Sequence, residues 1–116
     1  MRSADSFEKI FIYPKPIDMR KQINGLAHIV ESCSLEIFSP SLFVFTNKQK
    51  RLIKTIYWAQ TGFCLWMMRL EENKFPWPKS TDKHFTISPE EFNWLIQGVD
   101  FTKIKPHQIQ NYERFS

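Results

Sequence analysis

Residues 42–78, LFVFTNKQKRLIKTIYWAQTGFCLWMMRLEENKFPWP, constrain this chain more than any other stretch. Three short runs rich in β-branched and aromatic residues, at 42–46, 51–58 and 63–70, are separated by a polar break at 47–50 and a Gly-containing break at 59–62. That alternation predicts an antiparallel meander. Gly62 is available in the second turn for a positive φ. A four-residue turn there sets Trp58 opposite Phe63 and continues the ladder as Ile56 with Leu65, Lys54 with Met67 and Leu52 with Arg69. Side chains two apart on a strand share a face, so Lys54 and Arg69 are expected near each other on one side of the sheet. Two cations placed so need a partner: Glu71, Glu72 or solvent on one reading, an external anion on the other. The closing FPWP at 75–78 is expected to complete the sheet or pack over it, its prolines confining it to an edge.

The flanking segments read as supports. Residues 7–13, FEKIFIY, predict a strand stopped by Pro14 and Pro16. Asp18 is placed to cap a helix beginning at Met19. Met19, Ile23, Leu26, Ala27, Val30 and Cys33 then form one apolar stripe at helical spacing. Gly25 interrupts this helix at a cost of ~1 kcal/mol relative to Ala, which hints at close packing there or is simply tolerated. Residues 78–85 read as a polar linker. Ser88-Pro89-Glu90-Glu91 is a strong helix start, with Ser at the cap, Pro at the first helical position and Glu three residues beyond the Ser. Phe92, Leu95, Ile96 and Val99 follow on one face, and Gly98 fits the helix end. The expectation is a single α+β domain over residues 7–101, a small antiparallel meander of three to five strands with two helices packed against it, followed by a flexible tail at 102–116.

A chain of 116 residues, 42% hydrophobic with eleven Phe and four Trp, has apolar surface for one core. No run of ~18 apolar residues spans a bilayer and no signal peptide opens the chain, so a cytoplasmic protein without a membrane partner is expected. Cys33 and Cys64 stand alone and read as buried small hydrophobes. His28, His84 and His107 do not cluster with them at zinc-ligand spacing. A Cys–His nucleophile pair has no local support, and Asp18, Asp82 and Asp100 each have a local explanation. Three glycines, at 25, 62 and 98, make no phosphate-cradling loop. No enzyme activity, metal or cofactor is expected.

The charge pattern says more. Sixteen Lys and Arg against twelve Asp and Glu leave a net charge of +4, which permits a polyanionic partner without demanding one. Lys48, Lys50, Arg51 and Lys54 lie within seven residues beside Tyr57 and Trp58, and Arg69 approaches from the next strand. Cations beside aromatics on a sheet can neutralise phosphates and stack on bases, although a charged turn is more often only solvated.

These residues also carry a family resemblance. Pro16-Ile17-Asp18-Met19-Arg20 with Gly25-Leu26, then Leu42-Phe43-Val44-Phe45, Asn47, Ile53-Lys54, Tyr57-Trp58, Gly62-Phe63, Arg69-Leu70-Glu71 and Phe75-Pro76-Trp77-Pro78 resemble, in order and spacing, the small accessory protein of the insertion sequence 66 family, often called TnpB. The RNA-guided nucleases of the same name are several times longer and carry acidic and zinc motifs that this chain lacks. The resemblance runs from about Lys9 to Phe101. It implies a protein encoded beside a DDE-type transposase and required, with a second small accessory protein, for transposition. Two departures stand out: Ala59 and Gln60 follow Trp58, where relatives often carry an acidic residue directly after the Trp, and Met68 precedes Arg69, where a Lys or other polar residue is usual.

The combined expectation is a non-enzymatic factor that contacts element DNA through Arg20, Lys48, Lys50, Arg51, Lys54 and Arg69, while an aromatic sheet face docks the transposase. Arg20, just inside the expected helix start, opposes the helix dipole and so calls for an external anion or a nearby carboxylate. The alternative is a pure protein-interaction module with solvated cations and no nucleic-acid contact.

Overall fold

Five strands form one sheet: β1 (Lys9–Ile12), β2 (Ser41–Thr46), β3 (Leu52–Trp58), β4 (Phe63–Arg69) and β5 (Phe85–Ile87). Among the described residues two α-helices accompany it, α1 (Ile23–Ser32) and α2 (Pro89–Ile96). The computed structural model describes residues 1–103, so the expected flexible tail lies, from residue 104 on, outside the described residues.

The meander forms as β2, β3 and β4, and its second hairpin has the predicted register, with Trp58 opposite Phe63, Ile56 opposite Leu65, Lys54 opposite Met67 and Leu52 opposite Arg69. The full spatial order is β4-β3-β2-β1-β5. β1 therefore continues the meander, lying parallel to β2 with Ile10 beside Leu42 and Ile12 beside Val44. A parallel neighbour needs a crossover, and α1 supplies it. β5 then pairs antiparallel with β1, where a polar linker was expected up to Phe85. Three residues, Phe-Thr-Ile, are too few for period-2 alternation to register, and only the exposed edge of β1 makes a strand of them.

Both faces of the sheet are covered. On one, Ile10, Ile12, Leu42, Val44, Ile53 and Tyr57 pack with Phe92 and Leu95 of α2, together with Phe75, Trp77 and Phe101. On the other, Tyr13, Phe43, Phe45 and Ile56 pack with Leu26 and Val30 of α1. β2 is buried along its whole length, which is why its sequence is a continuous apolar run. Burying a side chain such as Leu42 on one face or Phe43 on the other contributes about 1.5–3 kcal/mol, so this central strand anchors both cores. Residues 75–78 form no strand. They pack over the sheet, and the Trp77 indole N–H donates to the Tyr13 carbonyl (2.9 Å).

The start of α1 departs from expectation. Its N-cap is Gln22, without a side-chain cap bond, and Asp18 is not a helix cap. The Asp18 carboxylate turns back instead, accepting from the Arg20 backbone N–H (2.9 Å) and from the Arg20 guanidinium Nη2 (2.6 Å). Lys54 reinforces this turn from the sheet: its ammonium donates to the Met19 carbonyl (2.6 Å) and the Lys21 carbonyl (3.0 Å). A helix beginning at Met19 would use those carbonyls for its own first turn, so the chain enters the helix only at Ile23. Gly25 is closely packed: a Cβ there would lie 3.1 Å from Cβ of Lys21.

α2 begins as expected. The Ser88 hydroxyl accepts from the Glu91 N–H (3.0 Å) and the Glu91 carboxylate accepts from the Ser88 N–H (2.8 Å), the reciprocal pair a capping box requires. It ends at Gly98, whose φ of 83° allows Gly98 N–H to reach Leu95 O (3.1 Å) and Val99 N–H to reach Trp94 O (2.9 Å). Val99 lies past this turn and is exposed, off the apolar face assigned to it. In the β3–β4 turn the positive φ falls on Gln60 (68°), not on Gly62.

Candidate functional site

The six cations singled out in the sequence do different things. Lys54 stands on β3 facing the α1 layer, 4% exposed, with its ammonium donated to the two carbonyls that shape the turn before α1. It holds the segment that carries Arg20 and presents no charge to a partner. Arg20 itself is on the surface, its side chain 92% exposed, paired with Asp18. That pairing supplies the nearby carboxylate the sequence called for. The guanidinium hydrogen bond holds the Asp18 carboxyl at about 2, well below the usual carboxylate range, and raises Arg20 further.

The other four meet at the β2–β3 turn. Lys48 is exposed and Lys50 half-buried, with Lys50 at a φ of 58°. Asn47 organises this turn, its side-chain oxygen accepting from the N–H groups of Arg51 (2.9 Å) and Leu52 (3.1 Å). Arg51 reaches across to the Glu71 carbonyl through Nη2, while its Nε is buried without a hydrogen-bond partner among the described residues. Arg69 is exposed and donates through Nε (3.2 Å) and Nη2 (3.1 Å) to the Glu71 carboxylate. Asn47, Gln49, Arg51, Leu52, Arg69, Leu70 and Glu71 line a shallow cleft of about 370 Å³. Of the partners weighed for the cations on this face, the local Glu71 carboxylate serves Arg69, while Lys54 is served by backbone carbonyls that were not among them. The carbonyls were not legible in the sequence, because they come from residues more than thirty positions away.

An aromatic group occupies the opposite end of the sheet, at the β3–β4 turn. Trp58 and Phe63 meet edge to face at 4.9 Å between ring centres, and Phe38 joins both at 5.0 and 5.5 Å. Phe38 is 56% exposed. Sequence reasoning overlooked Phe38, which lies outside every predicted element.

The cysteines sit half-buried, Cys33 at the end of α1 and Cys64 on β4. Each contacts a tyrosine: burial and then hydrogen bonding with Cys33 push the Tyr13 hydroxyl above the ordinary phenol range, and burial and Cys64 do the same for Tyr57. Both phenols are therefore neutral at physiological pH. Among the described residues no group of three or more His, Cys, Asp and Glu is gathered as a metal would need, and no helix is long and apolar enough to cross a membrane.

The family model described as IS66 Orf2-like protein matches residues 8–106. The chain belongs to the IS66 Orf2-like family. Family membership supports an accessory role in transposition. Two relatives come from Sinorhizobium fredii. The uncharacterized protein y4jC is 36% identical over 103 residues, covering 88% of each chain. The uncharacterized protein y4hO is 31% identical over 94 residues, covering 80% of this chain and 82% of its own. No solved structure matches the chain.

In this IS66 Orf2-like chain much of the signature is structural. Asp18 and Arg20 form the turn before α1, Gly25 clears the Lys21 stem, and Phe75 and Trp77 seal the sheet face that α2 covers. The two departures are also accounted for by packing. Met68 and Ala59 both lie against the core on the α2 side, where an apolar side chain adds burial without a polar group to satisfy.

Proposed function

We propose that this IS66 Orf2-like protein is a non-enzymatic factor that binds element DNA at the β2–β3 turn while it associates with the transposase of the same element and a second small accessory protein. The observation that carries this reading is the cleft lined by Asn47, Gln49, Arg51 and Arg69, at the turn whose sequence also bears Lys48 and Lys50. Arg51 and Arg69 line it with guanidinium groups, and charge-assisted bonds from such donors to a phosphate oxygen are among the strong ones. Arg20 and Lys48 add exposed charge. Lys54 serves as a positioning residue for the Arg20 segment and makes no contact with DNA.

The test is a fluorescence-anisotropy titration with element-end DNA at two salt concentrations. Lys48→Ala combined with Lys50→Asn removes two charges while keeping a residue that tolerates a positive φ at position 50. The expected outcome is salt-sensitive binding whose log–log slope falls by about 2 in the double variant. No binding at low salt, together with co-purification of the transposase, sinks the DNA reading. It favours the protein-only module, for which the exposed Phe38, packed with the half-buried Trp58 and Phe63, is the specific support.

A further inference from the structure

The two edges of the sheet are unlike. β5 is three residues long and runs into Pro89 of α2. β4 is seven residues long, paired without a bulge along its inner side, and carries FCLWMM before its one charge, Arg69. Proteins usually blunt such an edge with lysine, proline or a bulge inside the strand. β4 has none of these.

The backbone parity of β4 is determined. Leu70 N–H donates to Arg51 O and Ala59 N–H donates to Gly62 O, each at 2.8 Å. With the observed register, Cys64, Trp66 and Met68 direct their N–H and C=O groups toward β3. Phe63, Leu65, Met67 and Arg69 direct theirs outward, where the sheet ends among the described residues. An antiparallel copy of β4 related by a two-fold axis through Trp66 would set Phe63 against the partner's Arg69, and Leu65 against the partner's Met67. Every one of those residues is outward-facing, so each satisfies the other's free groups. The side chains match as well. Met67, 56% exposed, gains an apolar neighbour, and the exposed Arg69 guanidinium lies against a ring that belongs to the Trp58, Phe63 and Phe38 group. That pairing is a favourable cation–aromatic contact, and it uses the guanidinium face while the N–H edge remains for Glu71 or a phosphate.

We infer that β4 is a dimerisation edge, taking a second copy of this chain in antiparallel register about Trp66 to form a continuous ten-stranded sheet. One strand carries the cation at one end and the aromatic group at the other, and only an antiparallel copy brings both pairs together at once, which is the self-complementarity an isologous interface demands. The proposal is independent of DNA binding.

Sedimentation of the purified full chain is expected to give a particle of about twice the 13.9 kDa chain mass, dissociating on dilution. Met67→Glu sets a carboxylate beside the partner's apolar Leu65 at a position solvent-exposed in the monomer, and is expected to raise the dissociation constant about tenfold or more while leaving the thermal midpoint of the monomer unchanged. Register is read by Met68→Cys. Its thiol lies opposite the partner's Cys64 in a non-hydrogen-bonded pair and is expected to give an interchain disulfide under mild oxidation, abolished by Cys64→Ser. A chain monomeric at every concentration, a dimer indifferent to Met67→Glu, or a Met68→Cys chain that forms no Cys64-dependent crosslink overturns the inference. Pairing of β4 only with a strand of another protein does so too.

Discussion

The two helices begin in opposite ways. α2 is started by its own sequence: Ser88 and Glu91 satisfy each other's free amides and Pro89 has no amide to satisfy. α1 is started by the rest of the molecule. Asp18 has the right chemistry for a cap, yet Arg20 is two residues away and captures its carboxylate, and Lys54 takes the carbonyls on which an earlier first turn would depend. A reciprocal local motif survives folding because no distant group offers either partner a better bond. A single capping residue has no such protection.

The largest break in this contrast should come from Lys54→Met, which keeps the apolar stem but strips the donors from the Met19 and Lys21 carbonyls. It is expected to cost about 3 kcal/mol and to lower Tm by on the order of 10 °C, with amide exchange rising first at the α1 entrance. Ser88→Ala should cost about 1 kcal/mol through loss of the cap, read as a smaller shift in denaturant midpoint at unchanged m-value. Gly98→Ala places a Cβ at a φ of 83° and should cost about 1 kcal/mol, fraying the end of α2 while leaving α1 as it was.

Arg20→Ala should have the smallest effect, leaving Tm unchanged because its pair with Asp18 is solvent-exposed. Its signature is in titration. In the wild type the Asp18 carboxyl should titrate near 2 by NMR. In Arg20→Ala it should return toward the ordinary ~3.9. Because the folded value is depressed, any contribution of this pair is present above the unfolded pKa and fades as pH falls through about 2. Melting curves from neutral to mildly acidic pH should therefore show no step from it.

The meander was legible because its runs alternate with turn residues at short range, and the Trp58–Phe63 closure alone determines every later pair of the hairpin. β5 was not, since its three residues acquire strand character only from β1 beside them. At the candidate site the cations of the β2–β3 turn were found by sequence clustering, and the turn itself by its polar composition. The role of Lys54 was hidden: a lysine on a strand reads as surface charge, and nothing local distinguishes one that reaches the carbonyls of residues 19 and 21. Phe38 was missed because a lone aromatic between elements carries no periodicity.

What the sequence determined by itself are the features whose physics closes within a few residues. These are the capping box of α2, its glycine stop, the apolar runs of the meander and the charge of its first turn. Tertiary structure alone decided where α1 begins, which lysine is structural, that β1 joins the sheet parallel to β2, and that β4 is an apolar edge among the described residues. Each of those depends on a backbone group finding its partner across the fold, and pairing of that kind is set by which elements are packed together, not by the residues on either side.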